Sequence, residues 1–306
     1  MLIAVLLLIV GFVLLIKGAD WFVDGAAGIA ARFGIPQLVI GLTIVAMGTS
    51  APEAAVSITA AMEGNAGITI GNVVGSNILN ILIILGVTAL IIDVAVQKST
   101  VKYEIPFMLL ITGLLLVLGM TGNKIVFWEG IVLWVLFIVY LAYLFKMAKN
   151  GDADEEEKAK AVWLQLVLLI VGCGGIILGA DLTVDNASKI AEALGMDDRL
   201  IGLTIVAFGT SLPELVTSVT AAKKGKADIA IGNIVGSNIF NILFVVGTTA
   251  LITPVEFKSS FMTDSIVAIA AGLLLWIGVA KDMKLKRPIG VIMLITYAIY
   301  FGYLVI

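Results

Sequence analysis

The amino-acid sequence predicts an all-α membrane protein with ten transmembrane helices in two inverted-topology five-helix repeats. Three observations lead to this prediction: an apolar composition, ten apolar stretches of spanning length, and an internal repeat whose copies lie an odd number of spans apart. Of 306 residues, 60% are hydrophobic and 13% are charged, and the mean hydropathy is +1.13. Because a soluble domain needs about a quarter charged residues to cover its surface, a water-soluble fold is excluded.

The composition also excludes several classes of function. A net charge of −3 offers no basic surface for nucleic acid. The chain has no histidine and a single cysteine, Cys173, which removes internal disulfides, cysteine metal clusters and histidine-based catalysis. We therefore expect no enzyme activity, no cofactor and no nucleic-acid partner.

Ten stretches reach the roughly 20 apolar residues that a membrane-spanning helix needs. They are Leu2–Phe33, Leu38–Met62, Ile68–Ile92, Tyr103–Thr121, Ile125–Met147, Val162–Leu194, Leu200–Ala222, Ile229–Ile252, Phe261–Ala280 and Pro288–Val305.

The loops between these stretches predict an orientation. When the loops are assigned alternately to two sides, 14 Lys and Arg residues fall on one side and 4 on the other. Since positive residues stay preferentially in the cytoplasm, we expect a multi-pass protein of the cell membrane with both termini outside. The same pattern divides the chain into an N-terminal repeat (1–148), a cytoplasmic acidic linker (149–161) and a C-terminal repeat (162–306). We expect a monomer surrounded by the lipid bilayer.

The two halves repeat each other with an offset of 161 residues. Over Gly41–Ile91 and Gly202–Ile252, 34 of 51 aligned positions are identical. Five spans separate each residue from its equivalent, so the two copies enter the membrane from opposite faces. Inverted repeats of this kind are typical of secondary transporters, whose binding sites lie near the membrane midplane.

Glu53 and Glu214 occupy equivalent positions deep in apolar helices. An ionised side chain at that depth costs several kcal/mol unless it is paired or solvated, and neither repeat supplies a basic partner within the membrane. The two carboxylates therefore need a bound cation or protons; permanent protonation is the alternative reading.

Each glutamate follows a Gly-Thr-Ser-x-Pro sequence. Pro52 and Pro213 lack an amide proton, so the carbonyls of Gly48 and Gly209 lose their helical donors and the helix kinks. Free backbone inside a membrane is tolerated where it lines a cavity. The neighbouring hydroxyls, on Thr49, Ser50, Thr210 and Ser211, either join such a cavity or bond back to their own helices.

A second polar stripe follows in the next span of each half. Its members are four residues apart and share one helix face: Asn72, Ser76, Asn80, and their equivalents Asn233, Ser237, Asn241. Asn77 and Asn238 lie off the stripe, and we expect a structural role for them. The combined carboxylate, amide, hydroxyl and carbonyl oxygens suit Ca²⁺ or Na⁺. Two carboxylates balance one Ca²⁺ or two Na⁺, so the two ions would compete.

Two further pairs of carboxylates lie nearer the ends of spans one and six. For Asp20 and Asp24, and for Asp181 and Asp185, we expect solvated interfacial side chains; attraction of cations to a pathway mouth is the alternative.

The paired motifs GTSAPE (Gly48–Glu53) and GTSLPE (Gly209–Glu214), with GNVVGSNILN and GNIVGSNIFN, resemble the two alpha-repeats of the sodium/calcium exchanger family. This family belongs to the calcium/cation antiporter superfamily. The resemblance extends over nearly the whole chain and implies Na⁺-driven Ca²⁺ movement by alternating access, with spans one and six sliding against the rest.

The resemblance also implies a set of ligands. Calcium would be bound by Glu53 and Glu214 with the carbonyls of Thr49 and Thr210. Sodium sites would use the same glutamates with Ser50, Ser76, Ser211, Ser237 and the carbonyls of Ala46 and Ala207. Asn80 and Asn241 would complete the centre. Some relatives, including potassium-dependent ones, carry Asp where this chain has Asn241, so K⁺-independent exchange is expected. We also expect the exchange to be electrogenic. Exchange of H⁺ for Ca²⁺ or another divalent cation is the alternative, and a cation channel is a more distant one.

Overall fold

The computed structural model describes residues 2–150, 161–196, 205 and 207–305. The described part of the first half contains six helices: α1 (Leu2–Phe33), α2 (Gln37–Thr49), α3 (Ala51–Met62), α4 (Gly67–Ile91), α5 (Thr100–Met120) and α6 (Phe127–Asn150). The described part of the second half contains α7 (Val162–Ala193), α8 (Ala207–Gly209), α9 (Leu212–Lys223), α10 (Ala227–Ile252), α11 (Ser259–Ala280) and α12 (Arg287–Val305).

The chain is an all-helical, multi-pass membrane protein. In the described ranges, eight helices are long and apolar enough to cross a membrane, and α2 with α3 makes a ninth if this bent pair is one span. The predicted seventh span, Leu200–Ala222, begins outside the described residues, and α8 and α9 form the part that is described. Most of the predicted acidic linker, residues 151–160, also lies outside them.

Besides the helices, the described residues include four two-residue strands that the sequence did not predict. β1 (Val94–Ala95) pairs antiparallel with β4 (Lys284–Leu285), and β2 (Lys124–Ile125) pairs with β3 (Val255–Glu256). Each pair joins a loop of one half to a loop of the other. Segments this short carry no periodicity, so the hydropathy pattern gave no sign of them. They tie the two halves together at the ends of the helices.

The centre of the molecule is formed by α4 and α10. Every residue of α10 from 229 to 243 is buried, whereas α1 exposes large apolar side chains such as Leu2 and Ile3 on its outer surface. A helix buried on all sides is expected to be apolar on all sides. The asparagines and serine within α10 therefore have to be satisfied by protein or by a ligand.

The longest helices, α1 and α7, pack closely against each other along a row of glycines. A Cβ atom on Gly172 would lie 2.4 Å from the backbone nitrogen of Phe22, and one on Gly18 would lie 2.7 Å from the nitrogen of Ile176. Small residues allow helix backbones to approach this closely in a membrane. The α1–α7 pair lies beside the central helices that carry the polar side chains.

Candidate cation site

Two helix breaks position the site. At Ser50, φ is −86° and ψ is 8°, and at Ser211 φ is −96° and ψ is 7°, so both residues leave helical geometry. Pro52 and Pro213 each lie in the first turn of the helix that follows. The resulting bend between α2 and α3 is 49°. The predicted kink is thus confirmed, and it places each glutamate in the first turn of a new helix, where the helix dipole favours negative charge.

Glu53 and Glu214 are both completely buried. Glu214 Oε1 accepts a 2.7 Å hydrogen bond from the Ser50 hydroxyl, which belongs to the motif of the other half. Among contacts within the described chain, both oxygens of Glu53 and Oε2 of Glu214 have no hydrogen-bond partner. The two carboxylates lie close enough to interact electrostatically. Three buried carboxylate oxygens therefore lack a hydrogen-bond partner among the residues that the structure describes.

The hydroxyls of the two motifs make different contacts. Thr49 Oγ1 lies beside Glu214 and 2.9 Å from Asn233 Oδ1, with the carbonyls of Val45 and Ala46 at 3.1 and 3.3 Å. Two of these three acceptors are carbonyls of its own helix, so back-bonding, the alternative raised by the sequence, is available to Thr49 beside the bond to Asn233. Ser211 Oγ is buried and has no partner in the part of the chain that is described.

Asn72 and Asn233 connect the helices that carry the site. Asn72 donates to the carbonyl of Glu53 at 3.2 Å and to Ser57 Oγ at 2.9 Å. Asn233 donates to the carbonyl of Glu214 at 3.4 Å and to Ser218 Oγ at 2.9 Å. These two side chains thus hold each glutamate-bearing helix against the central helix of its own half.

Four asparagines form a reciprocal set of bonds between the halves, which we call the asparagine square: Asn77, Asn80, Asn238 and Asn241. Asn77 and Asn238 each donate to the other's backbone carbonyl at 3.2 Å. Their Oδ1 atoms accept from the amides of Asn241 and Asn80, at 3.1 and 3.0 Å. The structural role expected for Asn77 and Asn238 is confirmed.

The asparagine square also orients the amides of Asn80 and Asn241. Because their nitrogens are held, their Oδ1 atoms stay free, and these atoms have no partner in the described ranges. Both residues begin segments of π-helix, Asn80–Leu85 and Asn241–Val246, a feature that is common at functional sites. α3 packs against the π-segment that begins at Asn241, and α9 packs against the one that begins at Asn80.

For the remaining predicted residues, Ser237, Ser76, Thr210 and Ala207, the structure gives positions and contacts other than a hydrogen bond to Glu53 or Glu214 in the described residues. Ser237 donates to the carbonyl of Ala46 at 3.4 Å. Ser76 is buried on α4, and no hydrogen bond from it to either carboxylate occurs in the described structure. Thr210 is partly buried between α8 and α9 and takes part in a further interaction. Ala207 begins α8.

Asp20 is partly exposed and Asp24 is exposed, as expected for solvated interfacial side chains. Both also contact a basic residue that the sequence did not indicate as their partner. Lys224, just after α9, lies 2.7 Å from Asp24 Oδ1 and 3.4 Å from Asp20 Oδ1. The partner lies 200 residues away and belongs to the other half, so no local spacing could have revealed it.

The arrangement offers only hard oxygen ligands. In the described chain no group of three or more His, Cys, Asp and Glu side chains forms, so two carboxylates supply the charge and neutral oxygens supply the rest. Buried charge needs a counter-ion, and oxygen-only surroundings of this kind suit Ca²⁺ and Na⁺ better than soft metals.

Comparisons with known proteins agree with this chemistry. The CaxA protein of Alkalimonas amylolytica is 42% identical over 98% of both chains, and the sodium/calcium exchanger MaX1 of Methanosarcina acetivorans is 35% identical over 96% of both. A solved structure of the sodium-calcium exchanger NCX_Mj, soaked with zero Na⁺ and Ca²⁺, superposes with a TM-score of 0.87 at 39% identity, covering 99% of each chain. The family model described as sodium/calcium exchanger protein matches residues 3–146 and 164–306. The chain therefore belongs to the sodium/calcium exchanger protein family.

Proposed function

We propose that this chain exchanges Na⁺ for Ca²⁺ across the membrane as an electrogenic, K⁺-independent antiporter. The observation that carries the proposal is the pair of completely buried carboxylates with three unpartnered oxygens among the described contacts. Within a membrane such a pair needs cations or protons, and membership of the exchanger family favours cations.

The ligands that we assign are those named from the sequence. Ca²⁺ is held by Glu53 and Glu214 with the carbonyls of Thr49 and Thr210. Na⁺ is held by the same carboxylates with neutral oxygens from Ser50, Ser76, Ser211, Ser237, Ala46 and Ala207. Asn80 and Asn241 complete the centre. The free oxygens of Ser211, Asn80 and Asn241 in the described structure support this assignment.

Charge balance accounts for the competition between the ions. Two carboxylates neutralise one Ca²⁺ or two Na⁺, so either occupant removes the cost of two uncompensated charges in the membrane interior, and both together exceed the available charge. The neutral oxygens provide room for more than two Na⁺, and any number other than two moves net charge in each cycle. Amides at Asn80 and Asn241 leave no third carboxylate at these positions for a K⁺ ion.

The proposed topology has ten spans in inverted halves, 1–148 and 162–306, joined by the linker 149–161. Both termini lie outside and the linker is cytoplasmic, as the loop charges favour. Access alternates as α1 and α7 move together against the remaining helices. Their glycine-lined contact supports a paired movement, because backbones packed this closely hold the two helices together as one unit.

The proposal is tested by ⁴⁵Ca²⁺ uptake into proteoliposomes. Vesicles loaded with NaCl and diluted into Na⁺-free buffer should accumulate Ca²⁺, and uptake should stop when Na⁺ is equal on both sides. Addition of K⁺ should leave the rate unchanged, and a valinomycin-clamped inside-positive potential should alter it if charge moves. Uptake that ignores Na⁺ but follows an imposed pH gradient would establish proton exchange instead, and flux without a counter-ion would establish a channel.

Two substitutions test the site itself. Glu53→Gln and Glu214→Gln each remove one of the two charges without changing side-chain size, so each should abolish Ca²⁺ binding measured by isothermal titration. Glu192→Gln, at an exposed position near the end of α7, is the matched control and should bind like the unmodified chain. Unchanged Ca²⁺ affinity in either buried variant would refute the paired-carboxylate site.

A further inference from the structure

One ionic contact fastens α1 to the core at a single end of the molecule. Lys224 Nζ donates to Asp24 Oδ1 at 2.7 Å and to the backbone carbonyl of Asp20 at 2.9 Å. The Lys224 side chain is 28% exposed, so the contact is partly shielded from water. Lys17 also approaches Asp20, at 3.9 Å, but it lies on α1 itself and ties no helices together. We call the contact between Lys224 and the two aspartates the Lys224 bridge.

The internal repeat shows that this bridge has no counterpart at the opposite end. An offset of 161 residues carries Asp20 and Asp24 onto Asp181 and Asp185, but it carries Lys224 onto Glu63. The equivalent positions at the opposite end therefore hold three carboxylates, those of Asp181, Asp185 and Glu63, and no cation. All three are exposed, and in the described chain none of them forms an ion pair.

Helix packing has the same asymmetry. α1 packs along α9, whereas the equivalent pair, α7 and α3, lacks comparable packing in the described residues. Val216 on α9 packs against the apolar cluster that includes the inner surface of α1, while its equivalent on α3, Ala55, is exposed. In the described residues α1 is therefore packed onto α9 at the end that holds Lys224, beside a cavity of about 460 Å³ that Val216 and Lys224 also line. α7 has no comparable packing onto α3 at the end that holds Glu63.

We propose that Lys224 is a positioning residue that holds α1 closed at the cytoplasmic end and favours the state open to the outside. This inference rests on the proposed function, which supplies the assignment of the cytoplasmic side and the movement of α1 and α7. In a perfectly symmetric repeat the two inverted states would have equal energies. Lys224 at one end and Glu63 at the other make the two energies unequal. Moving α1 away from α9 breaks the Lys224 bridge, and packing α7 onto α3 at the other end forms no equivalent ion pair.

The test measures access from each side in the full chain, in membrane vesicles of known orientation. Single cysteines replace Val216 or Ala55 in a Cys173→Ala background, and a membrane-impermeant maleimide is applied from the cytoplasmic or the external side. Lys224→Gln should raise labelling at Val216→Cys from the cytoplasm and lower labelling at Ala55→Cys from outside. The ratio of the two rates should change about two- to fivefold, within the range expected of a partly exposed ion pair.

Two further variants separate this role from a general loss of structure. Lys223→Gln removes the same charge from the adjacent, exposed residue, which makes no ion pair with any residue that the structure describes, and should leave the ratio unchanged. Glu63→Lys places a cation opposite Asp181 and Asp185 and should shift the ratio in the same direction as Lys224→Gln. If Lys224→Gln changes neither rate, or both in the same direction, the proposal is wrong. Labelling requires no transport, so the bridge and the Na⁺/Ca²⁺ exchange can fail independently.

Discussion

The close contact between α1 and α7 predicts an unusually large effect of adding one methyl group. In Gly172→Ala the new Cβ would lie 2.4 Å from the backbone nitrogen of Phe22 and 2.8 Å from the carbonyl oxygen of Gly18. Both obstacles are backbone atoms of α1, so no side chain can rotate to make room. The helices have to separate.

The size of the effect follows from these distances. To restore an ordinary contact of 3.4 Å, the Cβ has to retreat by about 1 Å from the Phe22 nitrogen. Overpacking in a well-packed core costs about 1–3 kcal/mol, and a rigid backbone obstacle places this variant at the upper end. Replacing glycine by alanine in a helix returns about 1 kcal/mol of intrinsic propensity. The free energy of unfolding should therefore fall by about 2 kcal/mol.

Gly174→Ala supplies the matched control on the same helix. A Cβ at Gly174 meets no atom within 4 Å in the described structure, so this variant gains helix propensity without a clash and should be up to about 1 kcal/mol more stable. The measurement is unfolding in mixed micelles of increasing dodecyl sulfate fraction, followed by circular dichroism, together with ⁴⁵Ca²⁺ uptake. If the two variants unfold at the same dodecyl sulfate fraction, close backbone packing of α1 against α7 is refuted.

Three other predictions concern polar contacts. Ser50→Ala removes the protein's hydrogen bond to Glu214 Oε1 and should weaken Na⁺-dependent Ca²⁺ uptake about tenfold or more in apparent affinity, because bonds to charged groups are worth about 1.5–3 kcal/mol. Asn77→Ala removes both bonds of this side chain in the asparagine square and should lower unfolding free energy by about 1–3 kcal/mol in the same micelle titration. The Lys286 ammonium donates a hydrogen bond to Asp282, in the loop before α12, and holds the pKa of that carboxyl below its usual value. The charged form of Asp282 is therefore favoured at neutral pH and is lost as the pH falls through the lowered pKa. In Lys286→Gln the Asp282 pKa should rise toward the ordinary value in a carboxyl NMR titration, with Ca²⁺ uptake at neutral pH unchanged.

Features that depend on local chemistry could be predicted from the sequence. The first span, Leu2–Phe33, has the predicted bounds because a long apolar run determines a helix without reference to its neighbours. The breaks before Glu53 and Glu214 follow from proline, which lacks an amide proton wherever it occurs. The Oδ1 atoms of Asn80 and Asn241 have no partner in the described residues, which agrees with their assignment to the site. The role of these two residues as ligands is still a prediction.

Features that depend on contacts between distant residues could not be predicted. The Ser50–Glu214 bond joins residues 164 positions apart, and the Lys224 bridge joins the two halves as well. The repeat indicated which residues are equivalent, but it could not show which of them touch. The strand pairs β1–β4 and β2–β3 were missed for the same reason, since two-residue segments become strands only when a partner loop is present.

The asparagine square bears on how such a molecule could arise from a smaller one. Each of its bonds has an equivalent with donor and acceptor exchanged between the halves. A single five-helix polypeptide with one copy of the motif, inserted into the bilayer in both directions, would satisfy the same bonds as an antiparallel homodimer. Gene duplication and fusion would then preserve an interface that already existed. Divergence between the copies, such as glutamate at position 63 and lysine at position 224, would become possible only after duplication.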